Sequence, residues 1–305
     1  MPAILEKIRI VCISDTHNKV PGEGYTLPEG DILIHAGDLT NQGSYSELKK
    51  AIDWLEKAEY PVKLVVPGNH DLSLDAEYSL KHEQGWSVQS ERVDECRELF
   101  AAAHTVTYLE HGSTLVHLPG RNVSLKVFGS PYSPDRGRQN WAFQYRHDED
   151  LWEEIPKDTD VVISHTPPKG HCDASKHWEE GGCPALADTL WHVKPLLHVC
   201  GHCHEGRGAE VIRWGGMIGE VESVRTWQDP GVGNKKLSSL DLTSSRGMEL
   251  KAGEETAVVN ASIMAKSYGR GAKQFNKPVV VCLEMLCDED KAVAVDGVGN
   301  GEHGE

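Results

Sequence analysis

Short runs rich in Val, Ile and Leu recur along the chain at 8–14, 31–36, 62–67, 125–129, 160–164 and 196–200. Each is almost continuously apolar rather than alternating, which is the pattern of a strand buried on both faces. Between these runs the period changes. Ser44-Tyr-Ser-Glu47 forms a capping box, and Leu48, Ala51, Ile52 and Leu55 behind it fall on one helical face. A second helix is predicted over 90–103, with Val93, Cys96, Leu99 and Phe100 on one stripe. A third starts at Pro184, a favourable first-turn residue, and stops before Pro195. Strands alternating with helices predict an α/β fold.

From residue 216 to about residue 255 the pattern dissolves into Gly, Ser, Asp, Glu and Lys without apolar periodicity. This predicts a flexible surface insertion rather than elements of the core. Apolar runs return at 256–264 and 278–286, so one domain is expected over 1–287, interrupted at 216–255. Residues 288–305 read as an acidic, disordered tail.

Composition narrows the class. A chain of 305 residues with 39% hydrophobic and 26% charged positions is an ordinary water-soluble globular protein. No apolar stretch approaches the roughly 20 residues of a membrane span, and the start, MPAILEKIRIVCIS, lacks the organisation of a secretory signal. No membrane partner and a cytoplasmic location are therefore expected. The eight cysteines are scattered, and Cys200-Gly-His-Cys203 lacks the second pair that a structural zinc site needs. A net charge of -16 argues against binding extended nucleic acid, which requires clustered Lys and Arg.

The candidate chemistry lies where the apolar runs end. Asp15 and His17, Asp38, Asn69 and His70, His165, and His202 and His204 each follow such a run. In open α/β sheets ligands bind at that edge. Asp-x-His spacing leaves both side chains on one side of an extended segment. Glycines at 37, 68 and 201 let the chain turn sharply while the next residue faces the cleft. Carboxylates, an amide oxygen and several imidazoles suit Mn, Fe, Zn or Co better than calcium. One ion could not use them all, whereas two ions about 3.5 to 4 Å apart and bridged by a carboxylate could.

These segments, Asp15-Thr-His17, Gly37-Asp38, Gly68-Asn69-His70-Asp71, His165 and Gly201-His202-Cys-His204, resemble the successive motifs of calcineurin-like metallophosphoesterases. GSPYSP, NWAFQY, SHTPPKG, GCPALADTL, HVCGHCHEGRG and VVNAS are similar to the subgroup of metallophosphoesterase-domain-containing, brain-type phosphodiesterase-like proteins. The resemblance implies a four-layer α/β/β/α sandwich of two mixed sheets. It implies two divalent metal ions, manganese foremost, with Asp15, His17 and His204 on one ion. Asn69, His165 and His202 would hold the other, and Asp38 would bridge. His70, left unligated, would assist the leaving group. The implied partner is a small phosphoester, with a nucleotide as one candidate. The implied reaction is phosphodiester hydrolysis by a hydroxide between the ions, with monoester hydrolysis or a non-catalytic metal-binding scaffold as the alternatives.

Other polar residues carry less. His35 and His198 lie within apolar runs and read as core or supporting residues, and His171 and Asp173 either touch substrate or shape a loop. Asp71 either supports His70 or starts a helix. Arg136, Arg138 and Arg207 offer a fork for phosphate but are equally ordinary solvated charges, and Trp141 and Phe143 favour core packing over base stacking.

Overall fold

The structure, a computed structural model, describes residues 4–82, 91–137, 141–146, 151–177, 181–243, 248–266 and 273–289. In chain order it begins with β1 (Leu5–Ile13), β2 (Ile32–Ala36), α1 (Tyr45–Lys57), β3 (Val62–Val66), α2 (Ala76–Lys81) and α3 (Glu91–Ala101). There follow β4 (Thr107–Tyr108), β5 (Gly112–His117), β6 (Ser124–Ser130), β7 (Ser133–Pro134), β8 (Gln144–Tyr145), β9 (Val161–Ser164) and α4 (Pro184–Val193). The chain closes with β10 (Leu197–Cys200), β11 (Gly208–Trp214), β12 (Val221–Thr226), β13 (Ser238–Asp241), β14 (Glu255–Asn260) and β15 (Val279–Leu286).

The strands form two large mixed sheets, ordered β13-β15-β1-β2-β3-β4 and β12-β11-β14-β10-β9-β6-β5. Alternation along each strand explains why the sheets pack face to face. Ile8, Ile10 and Cys12 of β1 and Ile32 and Ile34 of β2 meet Val161 and Ile163 of β9 and Leu197 and Val199 of β10 in one core. The opposite faces are covered by helices. Val11 and Ile13 pack with Leu48, Ile52 and Leu55 of α1, and Val162 and Val258 pack with Leu186 and Leu190 of α4. This is the four-layer α/β/β/α sandwich. Ser44 caps α1 as the sequence indicates, with Glu47 returning to the Ser44 main chain.

The expected surface insertion over 216–255 is corrected. It contains β12, which pairs antiparallel with β11, and β13, which pairs parallel with β15. β12 is an edge strand with little burial, and its two valines, separated by Glu222 and Ser223, raise no apolar run. In β13 only Leu240 reaches the core between the sheets, and the strand owes its identity to its partner rather than to composition. The tail beyond Glu289 lies outside the described residues, as does Arg138. Among the described residues no helix is long and apolar enough to cross a membrane.

β1, β2 and β3 run parallel in one sheet, and β9 runs parallel to β10 in the other. Their C-terminal ends open at the same end of the sandwich, and every candidate ligand leaves from one of those ends.

Candidate metal centre

The loops at these strand ends are bent where ligands sit. Asp15, His17, Asp38 and His202 all have positive φ, at 52°, 41°, 55° and 64°. Non-glycine residues avoid this region, at a cost of about 1–3 kcal/mol each, so surrounding bonds must hold them. Asp15 N–H donates to Gly37 O at 2.9 Å, and His17 N–H donates to Asp38 O at 3.1 Å. Glycine serves two purposes here. Gly37 has a φ of 99°, as a sharp turn requires, whereas at Gly68 and Gly201 the reason is proximity. A Cβ at Gly201 would collide with Ser14 Oγ and Asp15 Oδ2, and one at Gly68 would collide with Asp38.

Asp71 ties two loops together. Fully buried, it accepts from Leu39 N–H (3.2 Å), Thr40 N–H (2.9 Å), Thr40 Oγ1 (2.7 Å) and Gly68 N–H (2.8 Å). It therefore clamps the loop carrying Asp38 to the loop carrying Asn69, a role neither sequence reading contained. Burial and the nearby Asp38 charge push its carboxyl up to about 6. Replacing Asp71 by Ala leaves several buried amides without acceptors. Urea unfolding of the metal-free protein is expected to show a loss on the order of 3 to 5 kcal/mol. A loss under about 1 kcal/mol would reject the clamp.

The seven candidate ligands and His70 converge. Asp15, His17 and His204 offer donor atoms all within 4.8 Å of one another, as do His17, Asp38 and His70, and Asp15, Asp38 and His165. His204 Nε2 lies 3.2 Å from Asp15 Oδ1 and 3.3 Å from His17 Nε2. Asn69 Oδ1 is 2.9 Å from His165 Nε2 and 2.8 Å from His202 Nδ1. Asp38 presents Oδ2 to His17 Nε2 at 3.7 Å and Oδ1 to His165 Nε2 at 3.3 Å.

The hydrogen-bonding of the rings shows that a cation fits. His17 Nδ1 donates to Thr40 O (3.1 Å) and His165 Nδ1 to Ala36 O (3.0 Å), because a carbonyl can only accept. In the neutral imidazole each Nε2 is then a lone pair. His17 Nε2 faces His204 Nε2 and Asp38 Oδ2, and His165 Nε2 faces the oxygens of Asp38 and Asn69, an arrangement that a positive species between them satisfies. Without a metal, protons partly fill that need. Burial alone would lower His165, yet the Asp38 and Asp15 carboxylates raise it to about 9. Burial favours the charge-free carboxyl of Asp38, but His165 and His70 reverse this and hold it well below the ordinary range. Where burial dominates, His17 falls to about 4 and His202 to about 3.

The remaining candidates separate. His35 Nε2 lies 2.9 Å from Thr16 Oγ1, inside the Asp15–His17 loop, and His198 Nε2 lies 2.7 Å from Ser164 Oγ beside His165. His171 pairs with Glu210 at 3.0 Å, and Asp173 accepts from Gly170 and Gly182 N–H, so both shape a loop. Arg207 is committed to Asp229 at 2.6 Å and to Lys277 O, and Arg136 donates to Gly182 O. Phe143 is core, whereas the half-buried Trp141 ring lies 4.0 Å from the His70 ring.

The two-sheet fold and the donor set at its strand ends agree with one family, and the family profile described as Calcineurin-like phosphoesterase matches residues 8–206. The chain belongs to that family, which generally binds divalent metals. Metallophosphoesterase domain-containing protein 1 of Homo sapiens is 34% identical over 66% of this chain and 61% of its own length. A UPF0046 protein of Caenorhabditis elegans is 35% identical over 66% of this chain and 65% of its own. A protein of Emericella nidulans named "Probable rhamnogalacturonate lyase C" is 46% identical over 68% of this chain but only 18% of its own length. The chain thus spans less than two thirds of each of these relatives.

Proposed function

We propose that the chain is a hydrolase of phosphodiesters working at a two-metal centre, with manganese the foremost metal and a cyclic nucleotide one candidate substrate. Asp15, His17 and His204 would hold one ion, Asn69, His165 and His202 would hold the other, and Asp38 would serve both. The observation that carries this reading is the split of the Asp38 carboxylate, one oxygen towards His17 and the other towards His165. Once bound, two divalent ions supply charge that acidifies water and offsets phosphate oxygens.

The chain's own residues do the rest. Only Asp15 and Asp38 bring formal negative charge to the donor set, so two divalent ions leave about +2 at the strand ends. An acidic protein can therefore hold an anion locally. The His70 N–H fixes Asp38 Oδ1 at 2.9 Å, while the ring Nδ1 donates to Asn41 O at 2.7 Å. With Nδ1 committed, Nε2 is the nitrogen that exchanges a proton with the departing oxygen.

Stripping the full chain with chelator and refilling it with Mn²⁺ tests the reading. A chromogenic phosphodiester is expected to turn over only after refilling, and faster than the corresponding monoester. Absence of metal-dependent turnover of either would overturn the hydrolase, and a faster monoester would reverse the substrate order.

A further inference from the structure

The two halves of the centre belong to different sheets. Asp15, Asp38 and Asn69 leave the six-stranded sheet, and His165, His202 and His204 leave the seven-stranded one. Facing sheets meet through apolar side chains, which set a layer spacing but not the placement of ligand atoms to fractions of an ångström. At the same end, residues 260–264 cross from one sheet to the other. Ala261 N–H donates to Cys200 O at 2.9 Å, on the seven-stranded side. On the other side Ser14 N–H donates to Ala261 O (3.0 Å), and Ile263 N–H donates to Ser14 O (2.8 Å). The family profile matches residues 8–206, and the crossing lies beyond that range, in and just after the VVNAS segment.

Two fully buried side chains of the crossing point at the ligand loops. Asn260 Nδ2 donates to Cys203 O (2.8 Å) and Cys172 O (2.9 Å) and lies 3.3 Å from Gly201 O, gripping the loop that carries His202 and His204. Three carbonyls around one amide nitrogen fix which way the amide faces. Asn260 Oδ1 therefore faces Ser262, accepting its N–H at 3.2 Å. Ser262 Oγ lies 2.8 Å from Asp15 Oδ2 and 2.7 Å from Asn260 Oδ1. It has one proton, and the charged carboxylate is the stronger acceptor. That bond engages Oδ2, while His202 N–H lies 3.1 Å from both carboxylate oxygens, and Oδ1 is the oxygen turned towards His204 Nε2, at 3.2 Å.

Resting on the two-metal reading above, we propose that Ser262 and Asn260 are positioning residues: Ser262 orients the Asp15 carboxylate, and Asn260 holds the His202–His204 loop against it across the gap between the sheets. Neither touches an ion or the substrate. Partners of this kind, acting on ligands from behind, typically affect metal affinity by about 10- to 100-fold.

The test uses the metal-stripped full chain as wild type, Ser262→Ala and Asn260→Asp. Each is titrated with Mn²⁺ by calorimetry and followed by electron paramagnetic resonance, with thermal unfolding of the metal-free forms alongside. Ser262→Ala removes a single oxygen and is expected to unfold close to wild type. Its Mn²⁺ affinity is expected to fall about 10- to 100-fold, with the exchange-coupled signal of paired ions giving way to that of isolated Mn²⁺. Asn260→Asp is expected to fall further, since it keeps the shape but loses the donors. If that variant does not fold, Ser262→Ala decides alone. Wild-type affinity and a coupled signal in Ser262→Ala would overturn the positioning role while leaving the two-metal reading intact. A wild-type chain that binds no Mn²⁺ would overturn both.

Discussion

Asp38→Asn is expected to lower metal-dependent turnover by more than about a thousandfold, equivalent to roughly 4 kcal/mol of barrier. The number of tightly held ions should fall below two. The substitution preserves shape, removes the charge and replaces one acceptor oxygen with an amide donor. Asp38 is 2% exposed and sits between the donor groups, with His17 on one oxygen and His165 on the other. Two divalent ions about 3.5 to 4 Å apart repel by roughly 18 kcal/mol at an effective dielectric of 20. A carboxylate between them supplies attraction of the same order, which a neutral amide cannot. Metal counting after gel filtration, with a calorimetric Mn²⁺ titration, checks the outcome. Two ions held at wild-type affinity in Asp38→Asn would reject Asp38 as the bridge.

That a bridge could be sought at Asp38 at all follows from strands that announce themselves. β1, β2, β3, β9 and β10 are covered on both faces, so their burial is written as apolar runs, and the residues just past those runs are the donors. β12 and β13 escaped because an edge strand and a strand identified by its neighbour need no such run. The clamp at Asp71 escaped for a different reason. Its partners Leu39 and Thr40 are about thirty residues away in sequence and become neighbours only when β2 and β3 pair. Backbone strain at Asp15, His17, Asp38 and His202 is likewise invisible to propensity, which assigns positive φ to glycine and asparagine first. Asn260 and Ser262 did carry a readable signal, since two polar residues close the apolar run of β14 just as the ligands close theirs. What they grip could not be read without the second sheet.

His70→Ala is expected to retain both ions while losing turnover by about 10²- to 10⁴-fold, the range of a positioned proton donor. Retention follows from the geometry. The contact from residue 70 that orders Asp38 is a main-chain N–H, 2.9 Å from Oδ1, which alanine keeps. What alanine removes is the ring held between Asn41 O and the Trp141 face. The size of the loss should depend on the leaving group. A nitrophenolate departs with little help from a proton, whereas an alkoxide needs one, so a substrate ending in an alcohol should suffer more than a chromogenic one. Comparing kcat for the two substrates in wild type and His70→Ala separates proton transfer from simple binding. Equal losses would assign the ring to holding phosphate, and unchanged turnover with both would remove His70 from the reaction. Loss of metal in the variant would instead make His70 a ligand, a possibility its place beside His17 and Asp38 makes worth measuring directly.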